Sequence, residues 1–334
     1  MTLNGANGAT YDSMRTVLGL EDMTNEEINE LYPHLIDQLV SLDRKVIMEI
    51  ANSIWVRENF QIEPDFIEAN RNYFDARVRM LDFTQPSALE TINGWIAEQT
   101  HDRITDVLDY IPREAVMYLI NAIYFNGTWT TEFDEDETRE STFYIDETSE
   151  MPIDMMSLSD TLAYYADDEV QMVELPYSHQ NFSMLILLPR EDNSVADLIR
   201  SLDDSRFATW LTGLEKEFGT VYLPRFEIGY KKLLNEMLTD LGMGIAFSSS
   251  ADFTRINSHG GIRISRVIHE TFLHVDEAGT EASATTVVET YKTSVGPDEF
   301  ILRLDRPFLF AIRETSSNAI LSLGKINRPE RLKR

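Results

Sequence analysis

Apolar positions recur at helical spacing through the first third of the chain; they alternate or run unbroken through the last. Residues 23–41, "MTNEEINELYPHLIDQLVS", put Ile28, Leu31, Leu35, Ile36 and Leu39 on one helical face, and Thr24 and Glu27 have capping-box spacing. The pattern predicts a helix with that stripe turned inward. Residues 45–58 read as a strand, and 86–108 as a helix with Leu89, Ile92, Trp95, Ile96, Ile104 and Leu108 inside. The nearly all-apolar run 115–129 predicts a strand buried on both faces. Residues 132–150 carry nine acids and one Arg139, which predicts a solvated loop and edge. Strands are expected at 170–177, 182–190 and 219–228, and helices near 195–215 and over 230–241, the latter stopping at Gly242. Strand-like runs at 263–275, 305–314 and 318–326 complete the chain. Helices first, strands last, with no repeat and no linker, predict an α+β fold in one domain spanning 1–334.

One stretch does not fit a core. Residues 276–294, "DEAGTEASATTVVETYKTS", separate two strand runs by far more chain than a connection needs. Taken two residues at a time, Thr280, Ala282, Ala284, Thr286, Val288 and Thr290 form one set without a charge. Glu281, Ser283, Thr285, Val287, Glu289 and Tyr291 form the other, and both acids fall there. Strand side chains alternate faces, so the segment is written as a strand with one small, uncharged face fit for burial. An ordinary permanent strand, or chance with two acids to place, reads the same way at this level.

Charge and chemistry narrow the function by exclusion. A net charge of −28 argues against nucleic acid, heparin-like polyanions and anionic membrane surfaces as partners. Glu26, Glu27, Glu30 and Asp37 within 23–41, with no Lys or Arg, argue further against a heparin site there. No apolar stretch approaches the roughly 18 residues that span a membrane. The absence of cysteine excludes disulfides and thiol catalysis. Six histidines stand without a metal-binding or catalytic motif, and no P-loop, dinucleotide fingerprint or nucleophile elbow is present. The reading is a protein that is not an enzyme and uses neither metal nor cofactor.

Several blocks, in order, resemble the serpin family of serine protease inhibitors. They are "NAIYFNGTW" (121–129), "VELPY" (173–177), "FSMLILLPRE" (182–191), "LPRFEI" (223–228) and "ADFTRI" (251–256). The strand-plus-hinge block "SRVIHETFLHVDEAGTEASATT" (265–286) and the C-terminal block "DRPFLFAIRETSSNAILSLGKINRP" (305–329) complete the set. The resemblance implies helices packed on a large central mixed or antiparallel sheet, smaller additional sheets, and an exposed reactive loop over 277–304. It also implies suicide inhibition: a protease cuts the loop, and the loop enters the central sheet as a new strand before the acyl-enzyme hydrolyses. The hinge would comprise Glu277, Gly279, Thr280, Ala282, Ala284 and Thr286. Glu277 and Trp129 would lie where entry begins, and Asn121 and His269 near the middle, where strands must part. Alternatively Trp129 simply fills core, Asn121 satisfies a buried backbone group, and His269 is an ordinary buried histidine.

The family's spacing, seventeen positions beginning at Glu277, reaches Thr293. Lys292, one position earlier, is the only basic residue between Arg266 and Arg303 and suits a trypsin-like acidic pocket. Lys292–Thr293 is therefore the expected scissile bond. Thr293–Ser294 and Tyr291–Lys292 stay open, Tyr291 suiting a chymotrypsin-like enzyme and Val287 or Val288 an elastase-like one. The expected partner is a serine protease met by a monomer in an extracellular, periplasmic or cell-surface setting. By the same resemblance, the first helix, a short strand and most of the second helix are expected to be missing ahead of residue 1. A non-inhibitory binding, storage or chaperone protein of the same fold is the competing expectation.

Overall fold

The computed structural model describes residues 1–191, 193–280 and 300–331. In chain order the first elements are α1 (Gly8–Val17), α2 (Asn25–Ser41), β1 (Val46–Arg57), α3 (Pro64–Phe74), β2 (Arg77–Leu81), α4 (Pro86–Gln99) and β3 (Met117–Thr128). Next come β4 (Arg139–Tyr144), β5 (Glu150–Ala166), β6 (Val170–Tyr177), β7 (Phe182–Pro189), α5 (Val195–Ser201), α6 (Asp204–Thr212) and β8 (Glu215–Leu233). The last are β9 (Ile268–Val275), β10 (Gly279–Thr280), β11 (Phe300–Arg303), β12 (Phe308–Glu314) and β13 (Ile320–Ile326). Thirteen strands among the described residues make an open mixed sheet, as the α+β pattern requires. They divide between two compact units.

The first unit comprises Met1–Ser41, Met48–Tyr124 and Gly229–Phe272. Strand β1 is its wall. Ile54 and Val56 face a cluster with Leu3, Met14, Phe66, Phe253 and Ile256, while Trp55 between them faces Ile92, Trp95, Ile96 and Ile120. Period-two alternation thus lets one strand serve two cores. Beside it, β3 is half buried rather than wholly buried: Ile120, Ala122 and Tyr124 are inside, while Asn121 and Ile123 are exposed. Apolar composition alone did not separate those cases, because the aliphatic side chain of Ile123 stands at a solvent-facing parity.

Other expectations for this unit are met in part. The capping box of α2 forms, with the Glu27 N–H donating to Thr24 Oγ1 at 3.2 Å and the Thr24 N–H donating to Glu27 Oε2 at 2.7 Å. Its stripe buries Leu39 but leaves Leu31 and Leu35 exposed. Helix α4 stops at Gln99, nine residues short of the expected end, where His101 and Asp102 take left-handed φ of 50° and 61°. Ile104 and Leu108 reach the same core from irregular chain, held because Asn93 bonds both backbone groups of Leu108. The expected helix over 230–241 forms in its second part only: β8 runs on to Leu233, helical turns cover Asn235–Leu238 and Thr239–Met243, and Gly242 at φ 113° breaks them where the stop was expected. Helix α3 and strand β2 are additions to the pattern read from the sequence.

The second unit comprises Leu42–Ile47, Phe125–Ile228 and Leu273–Arg334. Here β13, β12, β7, β6, β5 and β8 pair in that order. Every residue of β7 is buried, because β6 and β12 flank it and side chains from α5 and α6 cover it. The single helix expected near 195–215 is two helices, since Asp203 accepts from the Arg206 N–H at 2.8 Å and starts a new one. The acid-rich 132–150 segment does supply an edge: β4 pairs antiparallel with β5, setting Glu140 opposite Asp154. On the other side of β5, Asp154 stands opposite Arg225 of β8.

Candidate functional site: the hinge

At the end of β9 the chain turns back on itself over Asp276–Gly279 and begins a new strand. Thr280 pairs antiparallel with Val275 of β9, and on the other side Gly279 and Thr280 pair with Thr128 and Gly127 of β3. Two residues of the segment singled out from its parity therefore already lie between two strands. Thr280, expected on the buried face, is 1% exposed. Ala282, Ala284, Thr286, Val287, Val288, Tyr291, Lys292, Thr293 and Ser294 lie outside the described residues.

The turn is held by its own backbone and by Trp129. Asp276 Oδ1 accepts from the N–H groups of Ala278 and Gly279 at 3.0 and 3.1 Å, and the Asp276 N–H donates to the Gly279 carbonyl at 2.9 Å. The Trp129 N–H donates to Ala278 O at 2.9 Å, and its Nε1 donates to Asp276 O at 3.0 Å. Glycine is required at 279 by close approach: a Cβ there would meet the Gly127 carbonyl oxygen at 2.1 Å and Thr128 Cα at 2.7 Å. Tyr177 closes the site beneath. Its ring stacks on Trp129 at 4.6 Å between centroids, and its hydroxyl and the Thr280 hydroxyl are 2.6 Å apart. Burial pushes the Tyr177 phenol well above its ordinary pKa; the Thr280 bond opposes this weakly.

Glu277 is the charged member of the turn and is only 5% exposed. Thr138 Oγ1 donates to its Oε1 at 2.6 Å, and Arg225 Nη1 stands 3.6 Å from its Oε2. The Phe133 N–H donates to its carbonyl at 2.9 Å. A carboxylate this buried is tolerable only when paired and hydrogen-bonded. Arg225 also approaches the buried Asp154 at 3.8 Å, and Arg331 grips Asp154 through Nε at 3.1 Å and Nη2 at 2.8 Å.

Trp129, Glu277, Gly279 and Thr280 are thus one constellation. The other two sheet residues sit apart from it. Asn121 is exposed and donates to Asn52 Oδ1 at 3.0 Å, while the buried Asn52 donates to Phe74 O at 2.7 Å. His269 is exposed on β9, so it is not an ordinary buried histidine. Sequence reasoning missed Tyr177, Thr138, Arg225, Asp154 and Arg331. A signal existed for two of them: Asp154 in "PIDMM" and Arg225 in "LPRF" are lone charges inside apolar strands, which demand partners.

Comparison with known proteins identifies the family. The family model described as serpin (serine protease inhibitor) matches residues 1–329. The chain is a member of the serpin family. Iripin-2 of Ixodes ricinus is 32% identical over 335 residues, which cover 98% of this chain and 84% of that protein. Among solved structures, the thermophilic serpin tengpin in its native state superposes with a TM-score of 0.89 at 31% identity, covering 98% of this serpin and 84% of that chain. Human thyroxine-binding globulin, crystallised in complex with thyroxine, gives 0.88 at 26% identity, covering 98% of this serpin and 88% of that chain. Serpins are protease inhibitors in general rather than enzymes, and some bind ligands instead.

Proposed function

We propose that this serpin is a suicide-substrate inhibitor of serine proteases, trapping the acyl-enzyme by inserting its cut loop between β3 and β9. The observation that carries the reading is the two-residue strand β10, in which Thr280 is paired on both sides and both residues are small enough to need little room. Continued entry would keep the same register, with Ala282, Ala284 and Thr286 next on the buried parity. A dozen inserted residues would add on the order of ten ladder hydrogen bonds, each netting roughly 0.5–1.5 kcal/mol. That gain is released only after scission, which is the driving force that outruns deacylation. The expected bait is Lys292–Thr293 for a trypsin-like enzyme, with Tyr291, Val287, Val288 or Thr293–Ser294 serving other classes. Action as a monomer outside the cytoplasm belongs to the same reading. The likeness to thyroxine-binding globulin favours one alternative, a non-inhibitory binding protein.

Incubation with trypsin and then a denaturing gel separates the two. Inhibition predicts a band near the summed masses that survives heating; a cleaved band alone points to the alternative. Thr280→Arg puts a long cation where the side chain is buried against Tyr177, at a cost of several kcal/mol. That variant is expected to be cut by trypsin without trapping it, and normal trapping by it would contradict hinge entry at Thr280.

A further inference from the structure

Five charges alternate in sign from the C-terminal end of the chain to the hinge: Glu140, Arg331, Asp154, Arg225 and Glu277. Three come from adjacent strands, where Glu140, Asp154 and Arg225 stand abreast in register. The C-terminal segment reaches them because Glu330 bridges to Glu227 of β8, which delivers Arg331 to the row. Arg331 then makes the short contacts. Its Nε and Nη2 donate to the two oxygens of Asp154 at 3.1 and 2.8 Å, and Nη2 also donates to Glu140 Oε2 at 3.0 Å. Arg225 stands at longer range from both of its carboxylates, 3.8 Å from Asp154 and 3.6 Å from Glu277. Its Nε is buried with no partner among the described residues.

We infer that Arg331 is a positioning residue for the hinge, acting through Asp154 and Arg225 to keep Arg225 available to Glu277 until the loop is cut. Among the described residues, two guanidinium groups stand beside the Asp154 carboxylate. Asp154 is 1% exposed, and a carboxylate so placed draws the nearest cation. With Arg331 in place its charge is met by a bidentate guanidinium, the strongest geometry such a pair can have. Without Arg331, Arg225 is the guanidinium nearest Asp154 among the described residues, and a shift that closes its 3.8 Å gap to Asp154 loosens its 3.6 Å contact with Glu277. Glu277 in turn lies in the turn that leads from β9 into β10, its carbonyl accepting from the Phe133 N–H at 2.9 Å. A residue 54 positions beyond the hinge in sequence thereby restrains premature entry of an uncut loop. This inference rests on the insertion reading proposed for the hinge.

The test is the rate at which the uncut protein loses trypsin-trapping activity at fixed temperature while becoming heat-resistant. Arg331→Ala is expected to speed this conversion about tenfold, within the range of coupling energies for residues sharing one charge network. In a Glu277→Gln background, where Arg225 has no charge to hold, the same change is expected to speed it by less than about twofold. Arg331→Lys, which keeps charge but not the fork, is expected to fall between. A merely local role for Arg331 in anchoring the C-terminus would give equal factors in both backgrounds. Equal factors, or no acceleration, overturn the inference. Should nicking of the wild-type loop confer no heat resistance, the inhibitor reading falls first and this inference with it.

Discussion

Tyr177 and Thr280 share a hydrogen bond where neither hydroxyl can reach water, and the pair fixes how the hinge residue sits. Tyr177→Phe leaves the Thr280 hydroxyl buried without its partner, an expected loss of about 1–3 kcal/mol in native stability. Thr280→Val removes the other half. The double variant is expected to be less destabilised than the sum of the two, because it leaves no orphaned hydroxyl; additive losses in thermal unfolding would show that the bond does not carry this energy. Half of this pair was legible in the sequence. Thr280 announced itself by standing on the uncharged parity of a segment written as a strand. Tyr177 did not, since one aromatic at the end of an apolar strand looks like any other core residue until its neighbour across 103 positions is known.

At the scale of elements, the strands were legible wherever burial imposed a period, and the errors cluster where it did not. β6 and β7 matched their expected bounds closely because continuous apolar runs bounded by turns leave little choice. α4 was overextended because Ile104 and Leu108 keep helical spacing while reaching the core from irregular chain. The β12–β13 hairpin shows a local device that spacing cannot reveal. Burial alone would raise the pKa of Glu314, but donation from Ser317 and from the backbone of Ser316 and Ser317 outweighs it and brings the carboxyl from 4.5 to about 2. The folded pKa lies below the unfolded one, so the ionised group stabilises the fold above the unfolded value, and that contribution fades as pH falls from about 4.5 to about 2. The shift corresponds to about 3 kcal/mol at neutral pH. Glu314→Gln is expected to lower the denaturation temperature at pH 7, with the gap to wild type closing through that window. A gap independent of pH would assign the stabilisation to packing instead.

For the whole molecule, the sequence carried the family and the mechanism proposed for it, while the structure supplied the charge network behind the hinge. Parity named the face that must be buried, and the hinge geometry has the first of those residues, Thr280, seated between β3 and β9. The charge network behind Glu277 was hidden because its members lie on four separate stretches of chain, at 138–140, 154, 225 and 331. In the proposed mechanism the protein holds its sheet one strand short, with a more stable arrangement within reach and small side chains at the point of entry. The most direct test is to cut the loop between 287 and 295 and compare thermal denaturation of the cut and intact protein. A large rise in denaturation temperature is expected on cutting, with Thr280→Arg blunting it. An unchanged temperature after complete cleavage would contradict loop insertion.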